Sequence, residues 1–527
     1  MKAYKYFSIF LFILGLASCY KDDSSVNYKL INPIVIDLGD NGQYSASTPT
    51  YTLFSMDTLE IKPIVYKEGE IDTNLTFNWT LQGNSIAPTV IGNNMTLKAC
   101  INVPAEGNAY QLVLDVEDRM TDIHAQQLFN VKVESPFGLG LLVADSKDEK
   151  NSDVSLIMSY HFTSGLKIDQ TRNSHDLFSQ INNRKIPYYP VNGLLSSSYG
   201  SNRSLTITTP YSIDRVDPFN FNYMDGNRDV FVIDPKKYNP TGLGYISNQG
   251  VELLLMDGKL YPRTMQQSNK YFAFYLLTKD MSDYFITYFF CPTWESGLAF
   301  DEKNGRLLQL NGTTNLLLFS SDKLPANAPF DQNKLQGFSC KGMMLGPNNT
   351  YHNILQNKQT GKIYSYITQR GYGSENGSPV QLLDLSNCPE ITDAIGFATV
   401  ETQSVIYYAT KHTIYSVYYR GNELIVTPEY TAPANNEISS IMSWQEYYAP
   451  GKIDYANPNP AADQKVLSVS SYNRMLVLAT YDTKKQEGFI RTVAITTVGT
   501  GTLEKDHQYH GEYGGFGRIT AIAPKTK

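Results

Sequence analysis

The thiol of Cys19 is where the sequence points most directly to a chemical modification. Lys2 and Lys5 precede a short apolar run from Tyr6 to Ala17, and Cys19 follows directly after that run and one serine. The run is shorter than the roughly 20 apolar residues that a membrane-spanning helix needs. This order of charged, apolar and small residues is that of a secretory signal, so residues 1–18 are predicted to be removed as a signal peptide.

Residues 16–19, Leu-Ala-Ser-Cys, resemble a bacterial lipobox. The resemblance implies that Cys19 becomes the first mature residue and carries lipid on its thiol and its amine. Each buried methylene of an acyl chain adds about 0.8 kcal/mol of membrane affinity, so several chains together make a durable anchor. The alternative is an ordinary signal peptide with a cysteine near its cleavage site.

The charged residues after Cys19 bear on the destination of the protein. Lys21, Asp22 and Asp23 resemble the lysine-and-acid signal that sends Bacteroidetes lipoproteins to the outer face of the outer membrane. This resemblance makes residues 19–26 a lipidated tether and predicts an extracellular position. A charged, solvated tether without a sorting role is the alternative.

Composition and charge indicate a globular protein without a nucleic-acid partner. The 527 residues are 42% hydrophobic and 18% charged, which is typical of globular chains. The formal charge of −7 becomes −9 when Lys2 and Lys5 leave with the signal. Such a chain lacks the basic footprint that nucleic-acid binding requires. The high aromatic content of 12%, with 38 Tyr, favours β-strands.

Four cysteines remain besides Cys19, namely Cys100, Cys291, Cys340 and Cys388. In an exported protein they allow one or two disulfides, and the sequence does not choose among the pairings. Buried free thiols are the alternative. No Cys-x-x-Cys pair is present, so neither a zinc site nor a thioredoxin-like site is expected.

Residues 27–135 are predicted to form a β-sandwich. Segments 59–66, 75–81 and 95–100 alternate with a period of two, which is typical of half-buried strands. Phe77-x-Trp79, followed by the segment from Tyr110 to Asp118, resembles PKD-type immunoglobulin-like domains. The resemblance implies that Trp79 packs in the core and that Tyr110 begins a late central strand.

Asp57-Thr58-Leu59 resembles the short O-glycosylation signal of exported Bacteroidetes proteins. A glycan on Thr58 would mark the sandwich as exposed and would add to its solubility. A chance match of three residues is the alternative.

Residues 137–527 are predicted to form a β-propeller. Turns that lead into strands recur at Gly258, Gly305, Gly361 and Lys411, about every 50 residues, and again at Gly488. This period is that of four-stranded blades, and each turn is interpreted as part of the inner hairpin of a blade.

The length of this part of the chain gives about seven blades. The polar stretch 447–464 accounts for the longer last interval, and the first strand, from Gly138, is expected to complete the blade of the last strand, from Gly517. One large β-sandwich, or two smaller ones, is the alternative.

No catalytic motif is present in the sequence. His-Glu-x-x-His, Gly-x-Ser-x-Gly and P-loop patterns are absent. Carboxylate pairs such as Asp145 with Asp148, or Asp301 with Glu302, have the residue types of glycoside hydrolysis, but they are also typical of turns. No catalytic residue, metal site or cofactor is therefore expected.

Ligand binding needs only a pocket or rim with stacking rings and a few polar groups. Aromatic residues beside proline, glycine or polar residues are the candidates: Trp294, Trp444, Tyr188, Tyr189, Tyr372 and Tyr447. The two tryptophans are the first choices as stacking platforms, and core packing is the alternative for each.

The lipobox, the sandwich pattern and the propeller pattern together resemble the PKD-like family lipoproteins of Bacteroidetes. The resemblance implies an accessory role beside SusC/SusD-like, TonB-dependent importers. The leading hypothesis is an outer-membrane surface lipoprotein that binds a nutrient glycan or peptide and assists such an importer. The alternatives are a surface-anchored propeller enzyme acting on glycans and a structural or adhesive surface protein.

Overall fold

The chain divides into two units between Pro136 and Phe137. Almost all regular elements are strands; the described α-helix, α1, spans Leu177–Asn182, and short 3-10 turns lie at Asn227–Val230, Ser247–Gln249, Pro347–Asn349 and Ile391–Asp393. No helix in the described residues is long and apolar enough to cross a membrane. The computed structural model describes residues 32–39, 48–67, 74–84, 86–103, 105, 108–166, 168–266, 271–292, 297–311, 315–318, 324–370, 377–446, 451–455, 467–497, 499–504 and 511–526.

The N-terminal unit is a β-sandwich of three small sheets. Its largest sheet has the order β2-β9-β8-β5-β6, in which only the β2–β9 pair is parallel, and the pairs β3–β7 and β1–β4 form two further sheets. The strands are β1 (Ile34–Asp37), β2 (Thr50–Phe54), β3 (Thr58–Ile61), β4 (Ile64–Lys67), β5 (Leu75–Gln82), β6 (Thr89–Gly92), β7 (Leu97–Cys100), β8 (Tyr110–Asp118) and β9 (Ile123–Glu134).

Trp79 lies at the centre of the sandwich core, as the sequence predicts. Its ring is fully buried and packs 5.6 Å from the ring of Phe129, measured between centroids. The indole Nε1 donates a hydrogen bond of 2.8 Å to the carbonyl oxygen of Asn94. Tyr110 begins β8, a central strand whose residues alternate between buried and more exposed positions. Both structural roles implied for these residues are confirmed.

The single strand predicted over residues 59–66 is wrong in one respect. The structure breaks it into β3 and β4, which join different sheets. Pro63 lies between them, and its missing N–H and fixed φ disfavour a continuous ladder. The alternation of apolar residues therefore continues from one strand into the next, and Pro63 is the only residue that indicates where the first strand ends.

The C-terminal unit is built from the remaining strands. They are β10 (Gly140–Ser146), β11 (Asn151–Met158), β12 (Arg172–Ser174), β13 (Ile186–Pro187), β14 (Gly193–Tyr199), β15 (Asn202–Thr209), β16 (Ser212–Val216), β17 (Tyr223–Gly226), β18 (Pro240–Ile246), β19 (Val251–Met256), β20 (Lys259–Thr264), β21 (Leu277–Thr278), β22 (Ile286–Phe290), β23 (Gly297–Asp301), β24 (Arg306–Asn311), β25 (Asn315–Leu318), β26 (Phe338–Gly346), β27 (Thr350–Asn357), β28 (Ile363–Gln369), β29 (Pro379–Asp384), β30 (Gly396–Thr399), β31 (Val405–Ala409), β32 (Thr413–Arg420), β33 (Glu423–Thr431), β34 (Asn436–Ser443), β35 (Lys452–Tyr455), β36 (Leu467–Ser470), β37 (Met475–Asp482), β38 (Glu487–Ala494), β39 (Glu512–Phe516) and β40 (Arg518–Lys525).

These strands form seven blades in the described part of the chain. Blade 1 has the order β12-β11-β10-β40, and blades 2 to 7 begin with β14, β18, β22, β26, β30 and β34. The first strand of each of blades 2 to 6 contacts the first strand of the next blade, and β40 contacts both β14 and β34. These contacts close a ring, so the seven strands surround a central axis. An all-β chain with an immunoglobulin-like sandwich and a propeller of about seven blades is therefore confirmed.

The ring is closed by strands from both ends of the C-terminal unit. β40 pairs antiparallel with β10, from Gly140 opposite Lys525 to Ser146 opposite Arg518. The predicted sharing of one blade by the strands from Gly138 and Gly517 is confirmed. Because β40 is the innermost strand of blade 1, residues 518–525 line the central axis.

The predicted hairpins occupy a different place in each blade from the one expected. The turns at Gly258 and Gly305 join the second and third strands, β19 to β20 and β23 to β24, rather than an inner pair. The alternation of apolar and polar residues is weaker in the innermost strands, because neighbouring blades approach these strands closely. In β18, a Cβ on Gly244 would lie 2.5 Å from the ring of Phe289 in the next blade. Glycine at such a position interrupts the apolar alternation.

Blade 7 contains an inserted hairpin. β35 and β36 pair with each other between the first strand of the blade, β34, and the second, β37. Of the stretch 447–464, which was expected to form a loop, residues 451–455 are described, and β35 lies within them.

Candidate ligand-binding site at the channel mouth

One end of the propeller channel opens into a cavity of about 360 Å³. It lies at the carboxyl ends of the innermost strands of blades 4 to 7, β22, β26, β30 and β34, and Pro524 of β40 completes its wall. We call it the channel-mouth cavity. Its volume is at the lower end of the range of small-ligand sites.

Aromatic rings and thioethers form a large part of the described wall. Tyr288, Phe397 and Trp444 supply rings, and Met343 and Met442 are among the methionines that line the cavity. Tyr288 is 37% exposed although it belongs to an innermost strand, which fits a side chain that faces the channel. Although part of the ring is exposed, desolvation at the hydroxyl raises the pKa of Tyr288 to about 12, so the hydroxyl keeps its proton at neutral pH.

Trp444 is held rigidly in the cavity wall directly after β34. Its backbone N–H donates to the carbonyl oxygen of Met475 at 2.9 Å, and its carbonyl accepts from the N–H of Asn473 at 2.8 Å. The indole is 1% exposed and its ring centroid lies 5.1 Å from that of Phe162. Nε1 has no hydrogen-bond partner among the described residues. Trp444 therefore combines core packing with a position beside the cavity.

Two carboxylates, from Glu401 and Glu446, are among the few polar groups of the lining. The Glu401 carboxylate accepts a hydrogen bond of 3.2 Å from the hydroxyl of Tyr472, and its backbone N–H donates to Oδ1 of Asn473, also at 3.2 Å. Gln445 is fixed by an Nε2 donation of 3.1 Å to the carbonyl oxygen of Thr399. Hydrogen bonds thus hold the polar side chains in place around an apolar space.

The opposite face of the propeller carries a second aromatic surface, the tyrosine rim, formed by Tyr188, Tyr189, Tyr211 and Tyr481. It lies near Arg518, the first residue of β40, whereas the channel-mouth cavity is near the last residues of that strand. The exposed rings of Tyr188 and Tyr211 meet edge to face at 5.2 Å between centroids.

Arg518 organises the rest of the tyrosine rim. Its guanidinium lies 4.1 Å from the ring centroid of Tyr481, and its Nε donates to the Glu149 carboxylate at 2.9 Å. Burial and the negative charge of Glu149 raise the pKa of Tyr189. The backbone of Tyr188 is in the left-handed region, with φ of 73°. Such a conformation is uncommon for a bulky residue and often marks functional loops.

The aromatic residues proposed from the sequence do not form one site. Trp444 lies at the channel-mouth cavity, whereas Tyr188 and Tyr189 lie on the opposite face of the propeller. Their roles as ligand contacts stay predictions. Trp294, Tyr372 and Tyr447 lie outside the described residues, and so do Cys19, Lys21, Asp22 and Asp23. Thr58 is the exposed first residue of β3, and its glycosylation also stays a prediction.

Sequence reasoning missed several residues of both surfaces. Tyr288, Phe397 and Met442 belong to innermost strands, which the hairpin pattern did not assign. Tyr211 lies in the turn between β15 and β16 and carries no motif. A run of adjacent methionines in β26, Met343 and Met344, is the one local signal that could have indicated an adaptable apolar surface.

The cysteines are free thiols in the structure: Cys100 is exposed, Cys291 and Cys340 are partly buried, and Cys388 is buried. Of the two alternatives that the sequence left open, the structure shows no disulfide among these four described residues. Burial raises the pKa of the Cys340 thiol to about 12 and that of Cys388 to about 11. Both therefore stay protonated and unreactive at neutral pH.

Comparisons with known proteins found a family match and two distant structural similarities. A model described as the PKD-like family matches residues 19–190. No curated protein matches the chain. A quinonprotein alcohol dehydrogenase-like protein from Bacteroides thetaiotaomicron is 12% identical, with a TM-score of 0.40 over 93% of this chain and 99% of that one. An auxiliary nutrient binding protein from Bacteroides ovatus is 11% identical, with a TM-score of 0.29 over 93% and 90%.

Structural likenesses of this strength define neither a fold nor a function. The architecture therefore rests on the strand pairing within the chain itself. The family match covers the sandwich and the first part of the propeller unit, so the resemblance drawn from the sequence is supported for that part of the chain.

Proposed function

We propose that this chain is a non-catalytic lipoprotein of the outer-membrane surface that binds a nutrient ligand, a glycan or a peptide. The observation that carries the proposal is the channel-mouth cavity, with its wall of rings and thioethers and its few fixed polar groups. This is the composition of a small-molecule site, in which apolar contact supplies affinity and a few polar groups supply orientation.

The tyrosine rim supports binding of a larger ligand. Exposed rings such as Tyr188 and Tyr211 stack on sugar rings or on peptide side chains at little entropic cost, because each has only two side-chain torsions. A polymer that contacts both the cavity and the tyrosine rim would be held at more than one point, which raises avidity.

We further propose that the protein works beside a SusC/SusD-like, TonB-dependent importer. In this proposal lipid on Cys19 holds the chain at the membrane, and Lys21, Asp22 and Asp23 direct it to the outer face. The bound nutrient then passes to the importer. The support is the lipobox pattern and the family match over residues 19–190.

A second function is favoured by one observation. Glu401 and Glu446 both line the channel-mouth cavity, and a pair of carboxylates is what glycoside hydrolysis needs. In that case the protein is a surface-anchored propeller enzyme acting on glycans. Release of reducing sugar from an oligosaccharide mixture, lost in both Glu401→Gln and Glu446→Gln, would establish it over simple binding.

The binding proposal is tested by filling the cavity. Ser443 is partly exposed, lies at the end of β34 and lines the cavity, so Ser443→Trp should occupy it. Thr427→Trp on the outermost strand of blade 6, β33, is the matched control. We expect immobilised wild-type protein and the control to retain a component of mixed oligosaccharides or peptides that Ser443→Trp does not retain. Equal retention by all three proteins would exclude the cavity as the binding site.

A further inference from the structure

The charged groups of the channel-mouth cavity all have the same sign. Its described lining contains the carboxylates of Glu401 and Glu446 and no lysine, arginine or histidine. Within a ring of packed blades the surroundings are of low dielectric, where a charge acts more strongly than in water. A concave site lined by one sign of charge concentrates ligands of the opposite sign.

Glu401 is placed to act on a ligand rather than on a neighbouring side chain. It directly follows Val400, which comes after β30, and its carboxylate is oriented by the hydroxyl of Tyr472 at 3.2 Å. No described basic side chain forms an ion pair with it. The tyrosine hydroxyl fixes the direction of the carboxylate without neutralising its charge.

The wall beside these carboxylates also suits a cation. Tyr288 and Phe397 are partly exposed, electron-rich rings, which attract an ammonium or guanidinium group when it approaches their faces. The thioethers of Met343 and Met442 are polarisable and adapt to the shape of an apolar body.

We propose that the channel-mouth cavity binds an organic cation with an apolar body: an ammonium group on a hydrocarbon stem, either in a free amine or in the basic side chain of a peptide. The proposal rests on the proposed ligand-binding function and assigns a chemical class to its ligand. The ammonium lies at the Glu401 carboxylate, and the stem lies against the rings and thioethers.

The first test compares probes that differ only in charge. Choline and 3,3-dimethylbutan-1-ol have the same shape, and one carries a quaternary ammonium where the other has a neutral carbon. Titration calorimetry of the full chain should show choline binding at least about tenfold more tightly, and the difference should narrow at high salt. Equal affinity for the two probes would overturn the proposal.

The peptides Gly-Lys-Gly and Gly-norleucine-Gly distinguish the two sources of the cation. Tighter binding of the lysine peptide than of choline indicates a peptide ligand, and the reverse order indicates a free amine. Either order supports binding of an organic cation, provided that the norleucine peptide binds more weakly than the lysine peptide. A norleucine peptide that binds as well as the lysine peptide would contradict it.

Variants test whether the preference for choline arises in the channel-mouth cavity. Glu401→Gln should weaken choline binding about tenfold, whereas Glu423→Gln, which removes an exposed acid from the outermost strand of the same blade, should leave it unchanged. Phe397→Leu keeps the charge and should weaken choline more than its neutral analogue. Unchanged choline binding in either Glu401→Gln or Phe397→Leu would overturn the assignment, so one folded variant is enough for the test.

Failure of this inference is distinguishable from failure of the proposed function. If neither cationic probe binds but Ser443→Trp still abolishes retention of an oligosaccharide, the cavity is a binding site for a neutral ligand. If Ser443→Trp retains every ligand as well as the wild-type protein does, both the binding function of the cavity and its preference for a cation are excluded.

Discussion

Lys67 and Asp118 bring opposite charges into the core of the N-terminal sandwich. Their Nζ and Oδ2 atoms lie 2.8 Å apart, and both side chains are almost completely buried. The Asp118 carboxylate also accepts from the hydroxyl of Thr121 and from the backbone N–H of Met120. These hydrogen bonds, with that from Lys67 the largest cause, lower the pKa of Asp118 to about 2. A buried charge of this kind tolerates the loss of its partner poorly.

Lys67→Met should therefore lower the unfolding temperature of the sandwich in a pH-dependent way. The pKa of Asp118 is depressed in the folded state, so its contribution is fully present above the unfolded pKa of about 4 and is lost as pH falls through about 2. The difference in melting temperature between wild type and variant should be largest above pH 5 and should shrink towards pH 2. Thermal unfolding followed by circular dichroism measures it.

The exposed pair of Lys62 and Glu60 provides the control. Its atoms lie 2.9 Å apart, but both side chains are solvated, so Lys62→Met should change stability little at any pH. A loss in Lys67→Met that stays constant from pH 7 to pH 2 would show that lost packing, not the charge pair, causes it.

Blades 3 and 4 of the propeller contain buried acid–base pairs on their second and third strands. In blade 3, Glu252 of β19 accepts from Arg263 Nε of β20 at 2.6 Å and from Ser204 Oγ of the neighbouring blade at 2.8 Å. In blade 4, Asp301 of β23 accepts from Arg306 Nε of β24 at 2.8 Å. The pairs join the two strands of a hairpin, and the serine joins one blade to the next.

Arg263→Met should destabilise the propeller unit by about 3–5 kcal/mol, because it leaves the fully buried Glu252 carboxylate without its cation. The double variant Glu252→Leu with Arg263→Met should recover most of that loss. Chemical denaturation of the three proteins measures the differences. Lys237→Met, at an exposed lysine 3.8 Å from Asp257, is the control and should change the free energy of unfolding by less than about 0.5 kcal/mol. A double variant no more stable than Arg263→Met would contradict this account.

The elements that sequence reasoning found best are those with strong local signals. Gly258 and Gly305 have positive φ, 70° and 62°, which the turns between β19 and β20 and between β23 and β24 require, so glycine marked these hairpins. The roles of Trp79 and Tyr110 were found in another way, through the resemblance to PKD-type immunoglobulin-like domains. The innermost strands were missed because close packing between blades shapes them, and that packing has no local pattern.

The ring of blades creates the channel, and no segment of the chain does so alone. The channel-mouth cavity joins Tyr288 to Pro524, residues that lie in blades 4 and 1 and are distant in sequence. Their proximity follows only from the number of blades and from the pairing of β40 with β10. For this reason the sequence predicted the propeller but could not predict which aromatic residues share a site.

Deletion of residues 518–527 should open the ring. It removes β40, exposes the ladder groups of β10 and leaves β34 and β14 without the strand between them. We expect loss of cooperative unfolding in the propeller unit and faster amide exchange in β10 and β14, with exchange in β5 and β8 of the sandwich unchanged. Deletion of residues 526–527, which removes the hydrogen bonds between Thr526 and Ser196, should have a small effect. If the propeller unit still unfolds cooperatively after the longer deletion, closure of the ring by β40 is contradicted.

Recovery of the native protein from gently solubilised outer membranes, with identification of the proteins that accompany it, tests the proposed role beside an importer most directly. A variant with Cys19→Ser is the control, since it cannot be lipidated and should be lost from the membrane fraction. We predict recovery together with a TonB-dependent channel and its lid lipoprotein. Recovery of the wild-type protein alone would contradict a stable role beside an importer, and it would favour a free-standing enzyme or adhesin.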